Sequence, residues 1–268
     1  MTSAPTAAPA VPLAATLLLL RDAAAGFEVL MITRHAETVF AGGAAVFPGG
    51  RLDPDDSAPG LLKRCRAVPE IDAAQLALRV CAIRETFEEA GLLLARRGGE
   101  DRLLAGAEVQ ALEDDLLMRL GHPADFTELV IEGGLVLATD LLVPFAHWIT
   151  PVVRPRRYDT YFYLAPAPPE QEARHDGREA VDSIWIAPGK AAEDGAAHRV
   201  KMIFATRFNL QKLARSATSE AAFAAARSDT IVTVTPEYRE TPQGLMWCIP
   251  LEAGYGITET PVHGEAIA

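Results

Sequence analysis

Cysteine is scarce in this sequence. The 268 residues contain three cysteines, Cys65, Cys81 and Cys248. Their spacing is not that of metal ligands, and an odd, low count does not suit a disulfide framework. The cysteine content therefore predicts a protein of a reducing compartment, and we expect a cytoplasmic location.

An excess of positive charge is also missing. The chain carries 25 Lys and Arg against 36 Asp and Glu, a formal net charge of -11. This balance argues against general binding to nucleic acids or anionic membranes, which depends on clustered cations. We therefore expect neither a nucleic acid nor a membrane as partner.

Long hydrophobic runs are absent as well. The run at 11–20 is too short to span a bilayer, and no Lys or Arg precedes it as in a signal peptide. We expect it to form a buried β-strand. Hydrophobic residues nevertheless make up 49% of the chain, which is ordinary for a globular protein with a sizeable core.

The order of patterns along the chain predicts one mixed α+β domain. Strand-like runs lie at about 12–20, 28–34 and 44–47, and again in "LVPFAHWITP", "YDTYFYLAP" and "VDSIWIAP". Helices are expected at about 73–90, 102–121, 124–132, 188–196, 203–216 and 218–227, and a final β pair at 230–235 and 245–251. We expect a disordered tail at 1–10, a single domain at 11–255 with insertions at about 57–72 and 95–134, and a C-terminal tail at 256–268.

The segment "AIRETFEEAGL" concentrates negative charge on a predicted helix. Glu85, Glu88 and Glu89 fall within five residues, and side chains three and four apart share one helix face. Three adjacent carboxylates repel unless cations hold them, and Arg84, four residues before Glu88, supplies one cation. A hard divalent cation, which takes oxygen ligands, would supply more. The alternative is a solvated acidic face on a surface helix.

This helix and the turn "FPGG" upstream resemble the Nudix hydrolases, whose box reads G-x5-E-x7-R-E-U-x-E-E-x-G-U, with U a bulky apolar residue. The matching positions are Gly50, Arg84, Glu85, Glu88, Glu89, Gly91 and Leu92. Two departures stand out. Asp56 occupies the position of the first Glu, and 28 positions separate it from Arg84 instead of eight. We expect residues 57–72, which make up most of the extra length, to form a surface loop, because lengthening a loop costs little entropy.

The split box, the segment "LMITRHAETVFAGGAAVFPGG" and the later "RRYDTYFYL" resemble the branch of the family that contains coenzyme A and acyl-CoA diphosphatases. The resemblance implies the Nudix fold, an α/β/α sandwich with a mixed central sheet and helical insertions. It also implies a metal-dependent pyrophosphohydrolase that cleaves a diphosphate linked to another moiety, and the branch indicates coenzyme A or acyl-CoA as that substrate. In the coenzyme A signature, His35 replaces Ser and Val39 replaces the second Arg. NADH- or ADP-ribose-type substrates, and a Nudix-like sensor without turnover, stay open.

The resemblance also implies roles for particular residues. Glu85, Glu88, Glu89 and the backbone carbonyl of Gly49 would hold Mg²⁺ or Mn²⁺, and Arg84 would orient the carboxylates. Glu179, before a late strand that contains Trp, would be the general base, with Glu172 and Glu85 as rivals. The acidic face is expected to be accessible to solvent.

Substrate contacts are expected from Arg34, Arg157 and Gly50, because these positions match the family segments. Arg154, Arg156 and Arg157 form a basic cluster in an acidic chain. Arginine binds phosphate in a bidentate manner, whereas the alternative role for this cluster is a solubilising loop charge. The expected partner is thus a small nucleoside-diphosphate-type substrate.

Overall fold

The structure is a computed structural model that describes residues 10–37, 42–174, 180–242 and 244–262. The helices are α1 (Pro59–Leu62), α2 (Ala73–Ala90), α3 (Gly106–Leu120), α4 (Phe126–Glu132), α5 (Pro188–Ala196), α6 (Phe204–Leu213) and α7 (Ser219–Ser228). The strands are β1 (Leu13–Ala23), β2 (Gly26–Arg34), β3 (Ala45–Val46), β4 (Gly49–Arg51), β5 (Ala95–Arg97), β6 (Leu135–Leu137), β7 (Val143–Ile149), β8 (Asp159–Pro166), β9 (Ala180–Ile186), β10 (Thr233–Val234), β11 (Glu237–Thr241), β12 (Gly244–Cys248) and β13 (Glu259–Pro261).

Strand β1 lies at the centre of the main sheet. Among the described residues, eight strands form this sheet in the order β10-β7-β8-β1-β2-β3, with β4 beside β1 and β9 beside β2. The pairs β1–β8 and β10–β7 are parallel and the others are antiparallel, so the sheet is mixed as predicted.

Helices cover both faces of this sheet. Successive side chains of a strand point to opposite faces, so Leu17 and Leu19 enter one hydrophobic core, and Leu18 and Leu20 enter the other. Helices α2, α3 and α4 contribute to the first core, and α5, α6 and α7 contribute to the second. A strand buried on both faces reads as a continuous apolar run, which explains the segment at 11–20. The predicted α+β sandwich is confirmed.

Helix α2 begins and ends where the sequence predicts. The side chain of Asp72 accepts a hydrogen bond from the amide of Gln75 and caps the helix start. Gly91 ends the helix with φ +68°, a left-handed conformation that glycine adopts without steric cost. None of the helices formed by the described residues is both long and apolar enough to cross a bilayer.

The insertion at 57–72 is not a simple surface loop. It contains α1, and Leu61 in that helix is 1% exposed within the core that also contains α2. The backbone around residue 65 also bonds to Leu137, whose amide donates to the carbonyl of Arg64 and whose carbonyl accepts from the amide of Arg66. The expectation of a freely tolerated loop is therefore wrong for this part of the insertion, because a buried leucine anchors it.

The C-terminal part of the chain also differs from its prediction. The segments 230–235 and 245–251 do not pair, because β10 joins β7 in the main sheet. Strand β12 instead pairs with β11 and β13 in a separate small sheet. Residues 259–261, which were expected in a tail, form β13.

Candidate active site

Glu89 lies buried beneath residues 47–50, which lead from β3 into β4 and are called the glycine turn below. Its side chain is 3% exposed. Its Oε2 accepts a hydrogen bond of 2.8 Å from the amide of Gly49, and its Oε1 lies 3.3 Å from Nη1 of Arg34. The expectation of a solvent-accessible acidic face is therefore wrong for Glu89, because α2 presses this carboxylate against the turn between β3 and β4.

Close packing surrounds both glycines of the turn, by backbone at Gly49 and by a side chain at Gly50. At Gly49, where φ is +155°, an added Cβ would lie 2.5 Å from the carbonyl oxygen of Ala15 in β1. At Gly50 an added Cβ would lie 2.4 Å from Oε2 of Glu85. Real Cβ atoms do not approach so closely, so a larger residue would force these groups apart. The carboxylate of Glu85 therefore packs directly on the turn, as that of Glu89 does.

Arg84 joins three carboxylates. Its Nη1 donates to Oε1 of Glu85 at 2.9 Å and to Oε2 of Glu88 at 2.8 Å. Its Nε and Nη2 donate to the two oxygens of Asp56 at 2.8 and 3.0 Å. Burial of the guanidinium opposes its charge, but the hydrogen bond to Asp56 and the charges of Glu85 and Asp56 outweigh burial and raise the pKa of Arg84. Arg84 is thus charged at any physiological pH.

Asp56, which stands where the Nudix box has its first Glu, has a structural role. It is fully buried, and its Oδ2 also accepts a hydrogen bond of 2.8 Å from the amide of Asp53. It therefore caps the turn at 54–57 and fixes Arg84 at the same time. The insertion leaves this contact intact although 28 positions separate the two residues.

The carboxylates are chemically suited to bind a hard divalent cation. Glu85, Glu88 and Glu89, with the carbonyl of Gly49, offer oxygen ligands, which such cations take. Within the described residues, no three acidic, His or Cys side chains are already arranged to hold an ion. The Nη1 of Arg84 occupies the position between Glu85 and Glu88 and binds both. Glu88, whose side chain is 48% exposed, has room to move.

A cleft of about 1300 Å³ opens at the glycine turn. Its described lining contains two carboxylates, those of Glu85 and Glu89. The lining contains six Lys or Arg side chains, namely Arg34, Arg51, Arg154, Arg156, Lys201 and Arg207. The cleft thus reverses the charge balance of the chain, and low-dielectric walls focus such a field toward an anionic ligand.

The structure brings together most, but not all, of the residues that the sequence singled out. The cleft wall includes Glu85, Glu89, Gly49, Gly50 and Arg34. Glu88 lies on the exposed flank of α2, outside the wall.

Three other candidates lie elsewhere. Nε of Arg157 donates to the carbonyl of Thr150 at 2.9 Å, and Arg157 does not line the cleft, whereas Arg154 and Arg156 do. Glu172 is exposed and is not part of the wall. Glu179 lies outside the described residues.

The aromatic part of the cleft was missed by reasoning from the sequence. Trp148 from β7, Phe204 from α6 and Trp247 from β12 all line it, together with Arg207. The ring centroids of Phe204 and Trp247 are 5.4 Å apart, and those of Phe204 and Trp148 are 5.9 Å apart. These residues come from distant segments and share no motif, so no local pattern identifies them.

Animal proteins are among those with sequences similar to this chain. An acyl-coenzyme A diphosphatase NUDT19 from Gallus gallus is 31% identical over 212 residues, which cover 62% of this chain and 56% of that protein. Its counterpart from Homo sapiens is 28% identical over 209 residues, covering 63% of this chain and 56% of that protein. The chain thus spans about half the length of these relatives.

A solved structure and a family model agree with this similarity. The crystal structure of a Nudix hydrolase from Alicyclobacillus acidocaldarius is 30% identical, with a TM-score of 0.64, and the match covers 80% of this chain and 96% of that one. The family model described as the NUDT19 Nudix domain matches residues 63–213, which is more than half of the chain and includes all of α2. The chain belongs to the NUDT19 Nudix domain family.

Proposed function

We propose that this protein is a metal-dependent pyrophosphohydrolase that cleaves coenzyme A or acyl-CoA at the diphosphate. One observation carries the proposal: the carboxylates of Glu85 and Glu89 converge on the Gly49–Gly50 turn at a cleft whose other charged groups are cationic. A diphosphate needs both features, because the carboxylates would hold a divalent cation that offsets part of its charge and the cationic side chains would balance the rest. The relatives named acyl-coenzyme A diphosphatase support this substrate class.

Nudix hydrolases generally need divalent cations, and we propose Mg²⁺ or Mn²⁺ here. When bound, such an ion polarises the phosphoryl oxygens and lowers the pKa of a bound water. The residues proposed to hold it are Glu85, Glu88, Glu89 and the carbonyl of Gly49. Arg84 acts as a positioning residue, since it binds Glu85 and Glu88 through one nitrogen and is itself fixed by Asp56.

A general base must remove a proton from the attacking water within hydrogen-bond reach. Glu179 remains our proposed base, and Glu85, which lines the cleft, is its rival. The exposed position of Glu172 outside the cleft wall makes it the weakest of the three candidates.

Substrate binding is proposed at the cationic wall. Arg34 lies beside Glu89 and lines the cleft, where it would contact a phosphate of the substrate, while Gly50 would allow close approach of the diphosphate. Arg157 would act indirectly. Its bond to Thr150 holds the loop between β7 and β8, and that loop presents Arg154 and Arg156 to the cleft.

A substrate panel with metal control tests the function. Coenzyme A, acyl-CoA, NADH and ADP-ribose are each incubated with Mg²⁺, Mn²⁺ or excess EDTA, and products are identified by mass spectrometry. We expect adenosine 3′,5′-bisphosphate and a phosphopantetheine product, and no turnover in EDTA. Full activity in EDTA would refute the metal mechanism. Faster turnover of NADH or ADP-ribose would transfer the assignment to those substrates, and binding without turnover of any substrate would indicate a sensor.

A further inference from the structure

We infer that the aromatic end of the cleft, formed by Trp247, Phe204, Arg207 and Arg154, binds the phosphorylated purine nucleoside of the substrate. This inference rests on the proposed function in taking the glycine turn as the place of the reacting diphosphate. Beyond the proposed function, the inference states that the rest of the cleft binds the nucleoside half of the substrate and not the pantetheine half.

The aromatic end lies across the sheet from the glycine turn. Arg51 in β4 pairs with Ala14 in β1, Ala14 pairs with Thr160 in β8, and Thr160 pairs with Trp148 in β7. All four of these residues line the cleft. Neighbouring strands are about 4.8 Å apart, so three steps place Trp148 roughly 14 Å from the turn. A moiety of nucleoside size, linked to a diphosphate at the turn, can span this distance.

Trp247 offers an unused hydrogen-bond donor at this end. The residue is 3% exposed and lines the cleft. Its Nε1 is buried and meets no hydrogen-bond acceptor among the described residues. Buried polar groups in proteins normally have partners, so the indole N–H calls for an acceptor from a ligand. A purine ring presents such acceptors and also packs on aromatic side chains.

Arg207 brings a guanidinium group to the aromatic end of the cleft. Its guanidinium lies 5.8 Å from the ring of Phe204 and 5.7 Å from that of Phe208. No carboxylate of the described part of the chain lies within ion-pair distance of it, although the chain is acidic overall. Arg154 adds a second guanidinium, 5.7 Å above the ring of Trp247. Phosphate on the nucleoside would pair with these guanidinium groups.

The other half of the substrate suits this end less well. The amide carbonyls of pantetheine can accept from the indole N–H, but neither pantetheine nor an acyl chain carries an anion for Arg207, so covering the guanidinium with them would remove it from water without compensation. The pantetheine arm is therefore expected to leave the glycine turn in another direction.

Calorimetric binding in EDTA tests the inference without turnover. The probes are adenosine 3′,5′-bisphosphate and 4′-phosphopantetheine, each titrated into the whole chain. Arg207→Ala should weaken binding of the bisphosphate roughly 10- to 100-fold, the size of a lost charge-assisted contact. Trp247→Phe keeps an aromatic ring and removes the N–H, so we expect about a 5-fold loss. Arg207→Lys, which keeps the charge, should recover part of the affinity.

Arg227→Ala is the matched control. Arg227 lies over Phe223 at 5.7 Å, as Arg207 lies over Phe204, but Arg227 is on α7 and does not line the cleft. This variant should bind the bisphosphate like the wild type, and circular dichroism should show that all variants are folded.

The outcomes separate this inference from the proposed function. Unchanged bisphosphate affinity in Arg207→Ala and Trp247→Phe, or a selective loss of phosphopantetheine binding, would overturn the inference even if coenzyme A is hydrolysed. Loss of bisphosphate binding in Arg207→Ala, in a protein that hydrolyses no diphosphate with Mg²⁺ or Mn²⁺, would uphold the inference and refute the proposed function.

Discussion

Asp56 and Arg84 form a two-point ion pair in which both oxygens of the buried carboxylate accept from the guanidinium, at 2.8 and 3.0 Å. The same guanidinium then holds Glu85 and Glu88. The carboxylate that departs from the Nudix box is thus the one that fixes the arginine among the others. Stability and the geometry of the acidic residues are coupled through this pair.

Removing the buried carboxylate should be costly. We expect Asp56→Asn to lower the free energy of unfolding by about 3 kcal/mol, because it leaves a buried guanidinium short of a charged partner. Urea denaturation measures this change. Asp115→Asn is the control, since Asp115 is 60% exposed in its pair with Arg119 and should cost about 0.5 kcal/mol or less. Equal losses in the free energy of unfolding would show that the buried ion pair stabilises the protein no more than an exposed one.

Substitutions of Glu88 and Glu89 should have similar effects on turnover but different effects on stability. Glu88→Gln and Glu89→Gln should each lower kcat roughly 10²-fold or more, because each removes charge that holds the ion. Only Glu89→Gln should also cost stability, about 1.5–3 kcal/mol, since its carboxylate is buried against the amide of Gly49. Turnover and urea denaturation are measured on the same preparations, with Glu220→Gln, an exposed site on α7, as control. Wild-type kcat in both variants would refute the ligand assignment.

Activity should not tolerate a methyl group at Gly50. Gly50→Ala would place Cβ against Oε2 of Glu85, the movable end of that side chain, so we expect at least about a tenfold loss of kcat from the displaced carboxylate and little loss of stability. Gly98→Ala is the matched control, because its added Cβ meets nothing within 4 Å. If Gly50→Ala kept wild-type turnover, the contact between the turn and Glu85 would have no catalytic importance.

Leu61 should behave as a core residue although it lies in an insertion. Leu61→Ala should destabilise the protein by about 2–5 kcal/mol through lost burial and the cavity left behind. Leu251→Ala removes the same atoms at a site that is 67% exposed and should cost about 0.5 kcal/mol or less. Thermal and urea denaturation measure both. A small effect at Leu61 would restore the interpretation of 57–72 as a freely tolerated loop.

Much of the fold could be predicted because its signals are local. The cap at Asp72 and the left-handed Gly91 mark the ends of α2 within the sequence itself, and α5, α6 and α7 lie within two or three residues of their predicted limits. The partners of the last strands could not be predicted, because strand pairing depends on contacts between residues that are far apart in the sequence. Strand β10 pairs with β7, and β11, β12 and β13 form a separate sheet.

The candidate site divides in the same way. The sequence by itself determined the run of glutamates on α2, the paired glycines and the family that both indicate, since helix period and turn chemistry depend on near neighbours. Only the tertiary structure decided that Glu89 is buried, that Asp56 holds Arg84, and that Trp247 and Arg207 complete the cleft. The physical reason is that strand order and helix packing set these contacts, which join residues far apart along the chain.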